Sequence, residues 1–161
     1  MATEDFMDDS KKLFKIILIL VVIVLVYVGG CFGYKQVKFA PYEKSAEKFQ
    51  QNLRDETFRK ENPNTMVKVA RSDNLFTPRG TLTVVKDRVQ LQIHPNLFGG
   101  FDTDVFLSDR FAGATVAQFT IDEKGEPNEK EARAKYEEYK DEIIAALKLA
   151  NETFGKIFQI P

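Results

Sequence analysis

The chain holds a single histidine, His94, so hydrolysis through a serine or cysteine nucleophile has one imidazole available as its base. Ser72 and Ser108 are the hydroxyls that would have to reach it. Neither sits in a G-x-S-x-G turn, and His94-Pro95 closes an alternating run, where a histidine reads as a strand-end residue. The expectation is a structural His94, no catalytic residues and no enzyme. Asp102, Asp104 and Asp109 follow Gly99-Gly100 and carry the carboxylate oxygens that a hard cation takes from a flexible loop. Their spacing lacks the further ligands and the bidentate glutamate of a calcium loop, so a solvated Asp-rich turn without metal is expected. Gly99-Gly100 has no phosphate-cradling spacing, and no cofactor is expected. Glu129, Glu131, Glu137 and Glu138 lie among lysines, which keep carboxylates ionised and unsuited to raised-pKa acid work.

Cys31 is the only cysteine, which excludes an internal disulfide and any multi-thiolate metal site. It stands at the end of a long apolar run. Val28-Gly29-Gly30-Cys31 is similar to the lipobox of bacterial lipoproteins, which makes Cys31 a candidate for lipidation. The plainer reading is a small residue tolerated at the end of a membrane helix. A net charge of −1, with acidic and basic residues balanced beyond Tyr34, gives no basic surplus for phosphate neutralisation, so no nucleic-acid partner is expected.

From Ile16 to Val28 every residue is apolar or aromatic, and the uncharged stretch continues to Tyr34. As helix it covers about 28 Å, close to the roughly 30 Å of a bilayer's hydrocarbon layer. Lys11, Lys12 and Lys15 flank one end and Lys35 and Lys38 the other, where long amines snorkel, while Tyr27 and Tyr34 suit the interface. A cleaved signal wants a shorter apolar core and no acids in its leading segment, whereas Glu4, Asp5, Asp8 and Asp9 precede this run. The expected division is a polar tail over 1–12, a transmembrane anchor over 13–34 and one soluble domain over 35–161. The bilayer is thus the first expected partner. Counting only cations near the ends, Lys35, Lys38, Lys44, Lys48 and Arg54 outnumber the N-side three and favour a cytoplasmic domain. The tight lysine cluster just before the run and its signal-like layout argue for an extracytoplasmic one, and that is the expectation adopted.

Beyond the anchor, Phe39, Tyr42, Ala46, Phe49 and Leu53 recur at helical spacing, with Pro41 suited to the first turn of a new amphipathic helix. Asn62-Pro63-Asn64 ends it. The period then switches toward two, with strands expected over 65–71, 81–86, 88–94, 103–107 and 114–121. Thr77-Pro78-Arg79-Gly80 reads as a type I turn and Lys86-Asp87-Arg88 as a tight hairpin. Without helix-length crossovers the strands pair antiparallel. From Asn128, with Glu131 as its capping-box partner, apolar residues recur at helical spacing to Ile157, predicting one helix of roughly 40 Å. The fold class is α+β: transmembrane helix, amphipathic helix, antiparallel sheet of about five strands, and a long C-terminal helix.

Two stretches, Val26-Tyr27-Val28-Gly29-Gly30 with Gly33-Tyr34-Lys35, and Asn74-Leu75-Phe76-Thr77-Pro78-Arg79-Gly80-Thr81-Leu82-Thr83-Val84, resemble the opening of the YdgA-like family of bacterial inner-membrane proteins. The resemblance implies an extracytoplasmic, single-pass bacterial protein and brings no catalytic residues. Phe98, Phe101, Phe106 and Phe111 crowd one short window and form the expected partner surface, since exposed aromatic clusters mark contacts. The outer face of the 128–157 helix is the second candidate. The function expected is a membrane-anchored, non-enzymatic domain binding a protein partner of the cell envelope. The alternatives are binding of lipid or a small apolar ligand between sheet and helix, and a lipoprotein anchored through Cys31.

Overall fold

The computed structural model describes residues 2–111 and 113–160, with side chains from Lys12 onward. Helix α1 (Ala2–Asn52) is continuous, so the anchor and the amphipathic segment, expected as two helices, are one. Inside lipid the backbone has no water to bond and must stay helical, which carries the chain through Gly29, Gly30 and Gly33 despite their poor propensity. Pro41 lies inside this helix and not in the first turn of another. It removes one donor to the carbonyl of Val37, yet its neighbours Phe39, Ala46 and Phe49 are buried in the core and hold the helix through the gap.

α1 ends at Asn52, earlier than Asn62-Pro63-Asn64 suggested. Asp55 caps a short α2 (Glu56–Glu61), its carboxylate accepting from the amides of Thr57 and Phe58 at 3.0 and 2.9 Å, as an N-cap side chain does. Phe58 then meets Phe49 edge to face, with ring centroids 5.5 Å apart.

Strands β1 (Thr65–Arg71), β2 (Gly80–Lys86), β3 (Val89–Pro95), β4 (Phe101–Ser108) and β5 (Thr115–Ile121) form an antiparallel meander in sequence order. Asp87 and Arg88 make the two-residue β2–β3 hairpin, with Asp87 in the left-handed region at φ 52°, a conformation Asp tolerates better than most residues. The register places Val84 beside Leu91 and Leu91 beside Val105, followed by Phe119, so one sheet face is continuously apolar. The C-terminal half of α1 covers this face at β1, and α4 (Lys140–Phe154) covers it at β2 and β3.

The single long C-terminal helix is not formed. A 3-10 turn (Lys130–Ala132) leads into α3 (Arg133–Glu138), and the chain breaks at Tyr139 before α4. Tyr136, before the break, and Tyr139, at it, are both buried. Arg88 stacks over the Tyr139 ring at 4.6 Å and bonds to Glu142, so cross-element contacts outweigh helix continuity here. The capping box is not used either, because Asn128 donates instead to the Thr120 hydroxyl at 2.9 Å. Gly155, at φ 88°, stops α4. Asn151 then ties back the chain, its side-chain Oδ1 accepting from the amides of Ile157 and Phe158 at 2.9 Å. Phe154 and Ile157 are therefore both buried without sharing a helix.

Candidate functional site

One end of the sheet lies against the anchor. The β1–β2 connection (72–79) climbs along α1 until the Phe76 carbonyl accepts from the Tyr27 hydroxyl at 3.0 Å and lies 3.9 Å from the Cys31 sulfur. Lower down, the Lys35 amine donates to the carbonyls of Ser72 and Asn74 at 2.8 and 2.6 Å. The β3–β4 connection (96–100) approaches similarly, with the Leu97 carbonyl accepting from the Tyr34 hydroxyl at 3.3 Å and the Asn96 carbonyl from the Lys38 amine. Lys35 and Lys38, expected to reach for headgroups, are engaged with loop backbone instead. The loop's sharp turn is Asn74–Thr77, closed by the Thr77 amide on the Asn74 carbonyl at 3.3 Å and by the Phe76 amide on the Asn74 side chain at 2.9 Å. It is not Thr77–Gly80, as the spacing suggested. Gly80 opens β2 because a Cβ there would meet the Phe39 ring at 2.6 Å.

The opposite face of the sheet carries no covering element among the described residues. Across it run Met66, Val85, Gln90, Phe106 and Gln118, then Lys68, Thr83, Gln92, Asp104 and Thr120. His94 belongs to this face. Its Nδ1 lies 3.2 Å from the Thr81 hydroxyl and its Nε2 3.3 Å from Asp104. The hydroxyl beside the imidazole is therefore Thr81, whereas Ser72 bonds to Thr77 at 3.2 Å and Ser108 closes β4 at the end remote from His94 and its cross-strand neighbour Asp102. Thr81, His94 and Asp104 line up like a nucleophile, base and orienting acid. Their strands are interior, with ladders on both sides. The β2–β3 pairing ends at Leu82 and Ile93, so Thr81 and His94 stand just past the end of that ladder.

The four phenylalanines do not form one patch. Phe98 is 98% exposed on the β3–β4 loop beside the anchor, and Phe111 is exposed beyond the far end of β4. Phe101 packs against the core and Phe106 stands on the open face. Cys31, 7% exposed, lies under the β1–β2 loop. Asp102 and Asp104 sit on the open face and Asp109 past the end of β4. Among the described residues, no three His, Cys, Asp or Glu side chains converge as a metal site would require.

Leu82, Leu91, Ile143, Ala146 and Leu147, all 0% exposed, occupy the space between sheet and α4 that a buried apolar ligand would need. A surface groove of about 840 Å³ opens between the two anchor-side loops, from Pro78–Gly80 to His94–Gly99. Another of about 580 Å³ separates α1 from edge strand β1. On that side Glu43 accepts from Arg71, a bond that raises the guanidinium's pKa and joins α1 to β1.

The signals that sequence reading missed are tertiary. Leu75 and Phe76 at a turn corner were an available clue, because turns normally carry polar residues there. The chain matches no protein-family model, no curated protein and no solved structure. α1 itself contains a stretch long and apolar enough to cross a membrane.

Proposed function

We propose that this chain is a single-pass membrane protein whose extracytoplasmic domain is a non-enzymatic module that binds a protein partner of the cell envelope through the open face of its sheet. The observation that carries the reading is a five-strand face without a covering layer, on which Met66, Phe106 and Val116 stand among threonine and glutamine side chains. Mixed apolar and polar surface with few charges is the composition of protein contacts. The resemblance to the YdgA-like family supports extracytoplasmic placement, and Cys31, seated within α1 under a loop, supports anchorage through the helix more than through an acyl group.

A photo-crosslinking amino acid at Gln92, in the centre of that face, should give one defined adduct in native membranes. The adduct should disappear with Phe106→Asp. The same probe at Lys148, on the exposed side of α4, should give none. No adduct from Gln92, or one indifferent to Phe106→Asp, would remove the partner-binding reading. A C-terminal reporter active on only one side of the membrane decides the sidedness.

A further inference from the structure

We infer that the β1–β2 and β3–β4 loops are seated in the membrane leaflet on the domain's side, with Leu75, Phe76, Leu97 and Phe98 among the lipids. The domain then grips the bilayer through the end of its sheet as well as through α1. This rests on the anchored reading of α1 and adds a second contact to it.

Height along the helix is the first argument. Asp8, Asp9, Lys11 and Lys12 close the apolar stretch on its N-terminal side, and Lys15, near the entry, reaches back to the surface. A hydrocarbon layer of roughly 30 Å entered at Leu13 takes up about 20 residues of helix, which carries it just past Cys31. The tip of the β1–β2 loop is bonded at Tyr27 and lies against Cys31, so it is level with the last turns inside that layer. A surface that stopped at Tyr27 would leave only about 20 Å of helix from Leu13, about 10 Å too little for an ordinary bilayer. Tilting α1 reduces its rise across the membrane and seats the loops deeper.

Backbone satisfaction is the second. Irregular backbone enters lipid at lower cost where its polar groups already have partners, and several groups of both loops have them. The Ser72 amide bonds to the Arg79 carbonyl at 3.0 Å, the Asn74 amide to the Ser72 hydroxyl at 3.2 Å, and the Phe76 amide to the Asn74 side chain at 2.9 Å. The carbonyls of Ser72, Asn74 and Phe76 accept hydrogen bonds from Lys35 and Tyr27, and those of Asn96 and Leu97 from Lys38 and Tyr34. In water none of these helix side chains would be needed, because solvent satisfies a surface loop. Lys35 is 6% exposed with its amine held between two carbonyls.

Side-chain polarity is the third. The loops present their apolar members outward, from Leu97 at 50% to Phe98 at 98% exposure, next to the exposed apolar surface of α1 at Tyr27 and Phe32. Asp73 and Arg79 flank the β1–β2 tip, and their charges hold the insertion at the boundary between headgroups and acyl chains.

The chain has no tryptophan, so Phe98→Trp and Phe76→Trp each report their own depth. In the full chain reconstituted in phosphatidylcholine and phosphatidylglycerol vesicles, both should emit to the blue of Phe111→Trp at the other end of the domain. Lipid bearing a nitroxide near the head of its acyl chain should quench both severalfold more than Phe111→Trp, and aqueous acrylamide severalfold less. Quenching of Phe98→Trp and Phe76→Trp equal to that of Phe111→Trp overturns the inference. Ile23→Trp in mid-anchor separates the two readings. Lipid quenching there without quenching at the loops leaves anchorage standing and removes the second contact, whereas none at any of the three removes both.

Discussion

From Leu13 to Tyr27 the large apolar side chains of α1 are 48% to 70% exposed in every direction, whereas from Lys35 to Asn52 the same helix buries Phe39, Ala46 and Phe49 and turns Lys44 and Lys48 to water. Backbone geometry is shared by both halves, so the difference lies in the solvent each was selected for. A helix apolar all round is stable only when its surroundings are apolar. One with a single stripe needs a sheet to cover that stripe, and α1 finds it at β1 and β2. The lesson is that an exposed Leu or Val carries opposite meanings along a single helix, and the all-round pattern decides which applies.

Substitutions in the two halves should therefore fail in different assays. Ile19→Arg combined with Val22→Arg places two charges at the membrane centre, at a cost of about 5–7 kcal/mol on insertion scales. The chain should lose resistance to alkaline extraction from membranes. If extraction is unchanged, the lipid-facing half has been misassigned. Phe39→Ala should leave extraction intact and lower the stability of the domain by about 3–5 kcal/mol, as truncation of a fully buried ring does, which chemical unfolding in detergent reads directly.

At the seam, Pro41→Ala restores the donor missing from α1 and should raise stability by about 1–3 kcal/mol, the reverse of the usual cost of an interior proline. An unchanged or lower melting temperature would mean that proline shapes the junction between the halves and is not merely tolerated there.

The smallest effect concerns only the water-soluble part. Burial pushes the Glu129 carboxyl's pKa up, but bonds from the Thr120 hydroxyl at 2.9 Å and the Thr120 amide at 3.1 Å outweigh it, and the net shift is downward. A carboxylate with a lowered folded-state pKa contributes stability that is present above its ordinary range and lost as pH falls through the lowered value. Glu129→Gln should therefore flatten the acid limb of the domain's thermal stability slightly and leave neutral pH nearly unaffected. Membrane extraction should not respond to pH through this group.

Much of the fold was legible in the sequence because it is periodic. Val89, Leu91 and Ile93 alternate with polar residues and form β3, with all three buried. Phe39, Ala46 and Phe49 recur at helical spacing and share one buried face. The breaks were harder to read, because a helix ends where a contact outweighs its propensity. Tyr139 interrupts the C-terminal helix beside the Arg88 stack, and Asp55 starts α2 through a cap bond that helical periodicity does not register. The candidate site was the least legible part. Phe98 and Phe111 are neighbours in sequence but lie toward opposite ends of β4, since a strand rises about 3.3 Å per residue and carries them apart.

The amino-acid sequence by itself determined the anchor, the α+β class and the approximate spans of the strands, because each follows from which solvent the side chains of a short segment prefer. Tertiary structure alone decided that Tyr27 and Lys35 complete the backbone bonding of a loop far along the chain, and that His94 pairs with Thr81 and Asp104 instead of a serine. Hydrophobic preference is a property of single residues and sums locally. Partnership between distant polar groups depends on strand register and on the height at which a loop meets a helix, and neither exists until the chain has folded.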